Sequence, residues 1–151
     1  MSFVGIEEAL TKKGGDFIEA VVVSQRQKKL RASGRSAASL HKRVTRSGTV
    51  LTLEILGAAY FYQQQNGRRP SSKRPSRAMV ESIKEWTKIR GINIPAYAIA
   101  MKIQRDGIKV PNPFNPGGVL SEPLNPDKVR SSLKVAIRPI LIEGAKSTFF
   151  K

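Results

Sequence analysis

The spacing of apolar side chains predicts a long helix at the N-terminus. Over the first thirty residues the apolar positions mostly suit one helical face, and they are Phe3, Ile6, Leu10, Phe17, Val21 and Leu30. Ser33 and Gly34 are expected to end this helix, because glycine readily takes the left-handed conformation of a C-cap. Gly14 and Gly15 are its weak point, since a glycine inside a helix costs about 1 kcal/mol relative to alanine. The segment is still predicted to be one long helix, with this pair as the candidate position for a break or a kink.

Two short runs after the helix have the alternation of β-strands. They cover residues 39–44 and 50–56, and Ser47 and Gly48 lie between them. In the second run apolar and polar residues alternate, which predicts an antiparallel pair of strands. The aromatic segment 58–67 fits a third strand or a short helix equally well, and its pattern does not separate the two.

The second half of the chain is predicted to be helical. Ser76 can cap a helix that ends at Arg90 and Gly91, with Met79, Val80, Ile83, Trp86 and Thr87 as its buried positions. A further helix is expected from Pro95 to Arg105, and a helix kinked at Pro139 from Asp127 to Phe149. The predicted fold class is therefore α+β. It has a long N-terminal helix, a small antiparallel sheet with helices packed on it, and a C-terminal helix, all in a single domain of residues 1–151.

Two loops interrupt this order. Residues 68–76 contain two prolines, adjacent serines and four basic residues, which is typical of an exposed, mobile loop. Residues 109–126 hold five of the nine prolines and the pair Gly117 and Gly118, so regular structure is not expected there. A connector of that length inside a small domain usually contacts something.

An excess of positive charge indicates that this domain binds an anionic partner. The net charge is +16, and between Glu19 and Glu81 thirteen Lys and Arg residues face one carboxylate, Glu54. Such a surface predicts a polyanion or a strongly acidic partner, although a solvated basic face is the competing interpretation. Contact through phosphates is expected rather than readout of bases. The candidate binding residues are Arg26, Lys28, Lys29, Arg31, Lys42, Arg43, Arg68, Arg69, Lys73, Arg74 and Arg77.

Catalytic chemistry is poorly represented in the sequence. The chain has one histidine, His41, and no cysteine, and it lacks both a nucleophile elbow and a phosphate-cradling glycine pattern. We therefore expect no enzyme, no cofactor and no metal. Glu81 and Glu85 are predicted to form ion pairs within their helix. Trp86 and the aromatic residues 60–62 have the chemistry to stack on bases, but core packing is the favoured interpretation.

The apolar runs also bear on location. Each is far shorter than the roughly 20 residues that a membrane-spanning helix needs, and the N-terminus lacks the features of a secretory signal. No membrane contact is therefore expected, and the protein should stay where it is made.

The order of several short motifs resembles that of the neck and tail-completion proteins of tailed bacteriophages. The motifs lie within about residues 26–110. The first are a basic turn, Ser33-Gly34-Arg35-Ser36, which leads to Ser39-Leu40, and a strand that ends Leu53-Glu54-Ile55-Leu56-Gly57. They are followed by Ala59-Tyr60-Phe61-Tyr62, by Asn66-Gly67-Arg68-Arg69-Pro70, by a helix with Glu85-Trp86, and by Ala98-Ile99-Ala100-Met101-Lys102-Ile103 before Asp106-Gly107-Ile108-Lys109. Each motif is weak by itself, and their order carries the resemblance. Residues 120–151 have no counterpart in it.

The resemblance implies a structural virion protein that forms a closed ring of about six or twelve copies between the portal and the tail. Its partners would be itself, the portal or adaptor, tail proteins and the double-stranded genome passing through, and it would be made in the host cytoplasm. Arg68, Arg69, Lys73 and Arg74 would lie at the lumen or on an acidic partner. The alternative is a nucleic-acid-binding protein without sequence specificity, associated with the nucleoid or the ribosome. An accessory subunit of a nuclease is a third, weaker possibility.

Overall fold

The order of elements confirms the predicted α+β class. In the computed structural model, which describes residues 3–30 and 33–149, six helices accompany one two-stranded antiparallel sheet. The elements are α1 (Phe3–Gln27), α2 (Arg35–Ala38), β1 (His41–Ser47), β2 (Val50–Leu56), α3 (Tyr60–Asn66), α4 (Arg77–Arg90), α5 (Ala96–Asp106) and α6 (Pro126–Phe149). Helix α1 is the centre of the fold, since it contacts both strands and α6, while α4 contacts α5.

Helix α1 ends earlier than the sequence predicts. It ends at Gln27, and Lys29 takes a left-handed φ of 56°. The amide of Leu30 donates to the Gln25 carbonyl over 3.0 Å, so a lysine fills the position that glycine usually takes at a helix end. The predicted end at Ser33 and Gly34 was therefore wrong.

The glycine pair inside α1 permits close packing rather than a break. The helix runs through it without interruption, and Gly14 is buried. A Cβ at Gly14 would lie 2.9 Å from Leu53 Cδ1 and 3.1 Å from Lys42 Cδ. Because a larger side chain would push the hairpin away, Gly14 sets how near α1 comes to the sheet.

The hairpin follows the predicted pattern with a shift in its first strand. β1 covers His41–Ser47 instead of residues 39–44, and β2 covers the predicted residues 50–56. The register places Ser47 opposite Val50, so Gly48 and Thr49 form a two-residue turn in which Gly48 has a φ of 59°. The ambiguous aromatic segment is helical and forms α3.

Local signals predicted α4 and α5 well, but not how much of α4 is buried. Ser76 Oγ accepts a hydrogen bond of 3.2 Å from the Met79 amide, and Gly91 ends α4 with a φ of 65°. Pro95 caps α5. Among the residues of α4 only Thr87 is buried, and Trp86 is 38% exposed. The prediction that Trp86 lies in the core was wrong, because α4 packs mainly against α5 and only one side of it is covered.

The proline-rich connector of residues 109–126 forms part of the packed structure, although it has no helix or strand before Pro126, the first residue of α6. Val119 has no exposed surface, which places the middle of the connector in the core. The Asn115 side-chain amide donates to the Gln64 carbonyl over 2.8 Å, and the Leu120 amide donates to Gln65 Oε1 over 2.8 Å. Helix α3 and the connector therefore hold each other in place.

A buried polar cluster joins α1 to α2 and α3. Gln25 is fully buried, and its Nε2 donates to Ser36 Oγ over 2.8 Å and to Gln64 Oε1 over 2.9 Å. Gln64 Nε2 in turn donates to the Leu30 carbonyl over 3.2 Å. Hydrogen bonds of this kind offset the cost of burying amides and fix which residues meet.

Candidate nucleic-acid and assembly surfaces

The basic segment of residues 68–76 is anchored against α5. Arg68 and Ile108 exchange two backbone hydrogen bonds of 2.8 and 2.7 Å, and the Ser71 amide donates to the Gln104 carbonyl over 2.6 Å. Gln104 Nε2 donates to the Arg74 carbonyl over 3.4 Å. The sequence predicted a mobile loop, whereas these bonds give the segment a defined path along the helix.

Two glycines allow this bridge to form. Gly67 and Gly107 have φ values of 77° and 71°, which residues other than glycine rarely adopt. A Cβ at Gly67 would overlap the carbonyl oxygen of Ile108, and one at Gly107 would overlap the carbonyl oxygen of Arg68. The anchoring of the basic segment therefore depends on the absence of side chains at both positions.

We expect Gly67→Ala to lower the free energy of unfolding by about 3 kcal/mol, because backbone strain and overlap with Ile108 act together. Gly48→Ala is the matched control, since Gly48 also has a positive φ but a Cβ added there would meet nothing within 4 Å. It should cost only about 1 kcal/mol. Urea unfolding of both variants measures the difference. Equal losses would show that the contact with Ile108 contributes nothing.

Arg68 does not belong with the binding residues predicted beside it. Its side chain is half-buried, with Nη2 donating to Gln104 Oε1 over 3.0 Å and Nη1 lying 3.4 Å from the sulfur of Met79. These contacts use the guanidinium to join α4 and α5 to the basic segment. Arg68 is therefore better described as a packing residue than as a ligand for phosphate.

Four neighbouring cations remain exposed. Arg69, Lys73, Arg74 and Arg77 all lie on the surface between the Arg68 bridge and the first turn of α4. No carboxylate among the described residues forms an ion pair with any of them. We call these four residues the basic cluster. Exposed cations without carboxylate partners attract phosphates.

The first basic tract is partly neutralised. Lys28 pairs with Glu122 over 2.7 Å, and its side chain is only 15% exposed. Arg43 pairs with Glu54 across the hairpin over 2.7 Å, and this hydrogen bond lowers the pKa of Glu54. Both cations were predicted to bind a polyanion, but each already has a carboxylate.

A third ion pair corrects the interpretation of the acidic residues on α4. Glu85 was predicted to pair within its own helix, and it pairs instead with Arg35 on α2. The pair joins α2 to the outer side of α4, which the sequence spacing of Glu81 and Glu85 does not indicate.

The remaining predicted residues of the first tract are scattered. Arg26 and Lys29 are exposed at the end of α1, and the Lys29 carbonyl accepts a hydrogen bond of 2.6 Å from Arg90 Nη2. Lys42 lies on the hairpin with its aliphatic stem beside Gly14. Arg31 lies outside the described residues. These positions do not extend the basic cluster along one element.

Sequence reasoning missed a second set of cations on α6. Arg130, Lys134 and Arg138 follow one another at intervals of four residues, and all three are exposed. No carboxylate in the described part of the chain pairs with them. Like charges one helical turn apart destabilise a helix slightly, so this stripe gains from an anionic partner. Its regular spacing was the signal available in the sequence.

Aromatic side chains divide between the core and the surface. Phe61 on α3 is 4% exposed, whereas its neighbours Tyr60 and Tyr62 are exposed. Phe114 in the connector is 89% exposed, although Asn112 Oδ1 accepts hydrogen bonds from the amides of Phe114 and Asn115 over 2.8 and 2.9 Å. A hydrogen-bonded turn thus presents an aromatic ring to solvent, as expected of an anchor for a partner.

The chain exposes more surface than a monomer of its size. Its accessible area is 10812 Å², whereas a folded monomer of 16.7 kDa has about 7,600 Å². Large apolar residues form part of this surface, and those at least half exposed are Val4, Val50, Tyr60, Tyr62, Ile89, Ile94, Tyr97, Phe114 and Val135. The excess is about 3,200 Å², and a standard interface buries about 800 Å² on each partner.

The described residues offer little else that points to chemistry. Residues 3–30 and 33–149 contain no group of three or more His, Asp or Glu side chains placed to hold a metal ion. Within the same ranges, no helix combines the length and apolar character needed to cross a membrane. The clearest concavities are open grooves, one along the first turns of α1 beside Lys42 and one between Arg35 and α4.

Comparisons with known proteins add no relative. No protein-family model, curated protein or solved structure matches the chain.

Proposed function

We propose that this protein is a structural virion protein that forms a closed ring in the neck of a tailed bacteriophage. The ring would join the tail to the head, and the double-stranded genome would pass through it. The place in the particle comes from the resemblance over residues 26–110. The observation that carries the assembly itself is the exposed area of 10812 Å², because a surface of that size with so many apolar side chains is suited to burial against neighbours.

The excess of exposed area is also large enough for the interfaces that a ring requires. In a closed ring each subunit uses two different surfaces, one for each neighbour. Two standard interfaces would cover about 1,600 Å² of each subunit, and the remainder is available for contacts with portal and tail proteins.

The charges support passage of DNA through the ring. The basic cluster of Arg69, Lys73, Arg74 and Arg77 is fixed on the surface and lacks carboxylate partners among the described residues. Facing the lumen, it would hold DNA through phosphates without reading the sequence. This assignment keeps three of the four residues expected at the lumen and leaves out Arg68, whose guanidinium joins α4 and α5.

The number of copies in a particle tests the proposal. Quantitative mass spectrometry of purified phage particles should find about six or twelve copies, in a fixed ratio to the portal protein. A capsid protein of known copy number in the same sample calibrates the count. Absence of the protein from particles would overturn the proposal.

A nucleic-acid-binding protein of the nucleoid or ribosome is the second candidate. The stripe of Arg130, Lys134 and Arg138 on α6 favours it, because a helix with three unpaired cations in a row can follow a phosphate backbone. Co-purification with chromosomal DNA or ribosomes from infected cells, together with absence from particles, is the result expected for this candidate.

A further inference from the structure

The sheet of this protein has two strands and two free edges. No backbone hydrogen bond from the described residues reaches the outer edge of β1 or of β2. Two-stranded sheets are only marginally stable by themselves, and an unpaired edge is a template for a further strand. Each strand has seven residues, which is a full-length strand for pairing.

The register determines which backbone groups face outward. Ser47 and Val50 flank the two-residue turn, so they form a hydrogen-bonded pair, and such pairs alternate with non-bonded ones along the hairpin. The outward amides of β2 are therefore those of Leu51, Leu53 and Ile55. On β1 they are those of Lys42, Val44 and Arg46.

Charge distinguishes the two edges. β1 carries Lys42, Arg43 and Arg46 and no carboxylate, whereas Glu54 is the one charged residue of β2. Pairing of two β1 edges would bring six cations together, and like charges on facing strands are destabilising. Pairing of the apolar β2 edge with the basic β1 edge of another copy avoids this repulsion, and it places Glu54 near the cations of that copy.

We propose that copies of this chain join by adding the β1 edge of one copy to the β2 edge of the next. If the symmetry axis of the ring is parallel to the strands, β1 has the same direction in every copy. Because β2 is antiparallel to β1, each β2 then pairs antiparallel with the β1 of its neighbour. The interface is head-to-tail and forms a continuous intersubunit sheet. This inference rests on the proposed function only in taking the assembly to be a closed ring.

Cysteine cross-linking tests the pairing, because the chain contains no cysteine. Thr45 and Thr52 are exposed and lie on the face of the hairpin opposite that of Lys42 and Leu53, the residues beside α1. Thr45→Cys protein is mixed with Thr52→Cys protein and treated with a short bis-maleimide, which tolerates a register shift of two residues. Ser131→Cys on α6, also exposed, is the matched control for collision between molecules.

The mixture should cross-link at least tenfold faster than any pair that includes Ser131→Cys. It should also cross-link faster than either single variant alone, because Thr45 and Thr52 would lie on adjacent strands, whereas two copies of either residue would lie two strands, or about 10 Å, apart. Faster linkage of Thr52→Cys with itself would show β2 pairing with β2, and faster linkage of Thr45→Cys with itself would show β1 pairing with β1. Either result would overturn the proposal, as would linkage no faster than the control.

The outcome is separable from that of the proposed function. If particles contain a fixed number of copies but the strand edges do not cross-link, the neck assignment stands and the intersubunit sheet is rejected. If the mixture cross-links rapidly but the protein is absent from particles, the intersubunit sheet stands and the neck assignment is rejected.

Discussion

Replacing Arg69, Lys73 and Arg74 by glutamine is expected to weaken binding to duplex DNA about 500-fold at 0.1 M salt. Each phosphate contact makes the slope of log K against log salt more negative by about 0.9, so the loss of three contacts changes the slope by about 2.7. The contribution of these contacts to affinity vanishes near 1 M salt. Over the tenfold range from 1 M to 0.1 M, a slope change of about 2.7 therefore amounts to about 500-fold in affinity. The three side chains are exposed and lack ion-pair partners among the described residues. Fluorescence anisotropy over a salt series measures both quantities.

The matched control removes the same residue types from positions that already have carboxylates. Lys28, Arg35 and Arg43 pair with Glu122, Glu85 and Glu54 respectively, and their replacement by glutamine changes the net charge by the same amount. The control should keep nearly the original salt slope, because paired cations release few counterions. Thermal unfolding shows whether both variants are folded. An equal loss of affinity in the two variants would mean that total charge, and not the basic cluster, determines binding.

Phe61→Ala is expected to destabilise the protein by about 3 to 5 kcal/mol, a large part of the stability of an ordinary domain. The ring is 4% exposed, and its edge lies close to Gly57. Because the buried apolar set is small, few neighbours can move to fill the space. Denaturant unfolding followed by circular dichroism measures the loss.

Tyr62→Ala provides the control for this measurement. Tyr62 is the next residue on the same helix and is 69% exposed, so its removal should change the free energy of unfolding by less than about 0.5 kcal/mol. Similar losses in both variants would show that α3 contributes through its helical backbone and not through the packing of Phe61.

Elements with local signals were predictable, and those decided by packing were not. The serine cap and the glycine end of α4 act within one turn, so both could be predicted from neighbouring residues. Burial of Trp86 was not predictable in this way, because it depends on how many elements cover α4. The end of α1 also escaped prediction, since Lys29 adopts a conformation that usually belongs to glycine.

The candidate site shows the same division. The excess of positive charge was evident from composition, but which cations remain unpaired depends on contacts between residues far apart in the chain. Lys28 meets Glu122 only because the connector folds back to the end of α1. Arg68 stands beside Arg69 in the sequence, yet only Arg68 is drawn into the fold by Gln104.

The packed connector of residues 109–126 has a practical consequence for work with this protein. By length and composition it is the natural place to insert an affinity tag or a fluorescent label. An insertion there would displace Val119 from the core and separate Asn115 from α3, so the label would perturb the stability that it is meant to report. Labels belong at exposed single positions on rigid elements, where substitution leaves the path of the chain unchanged.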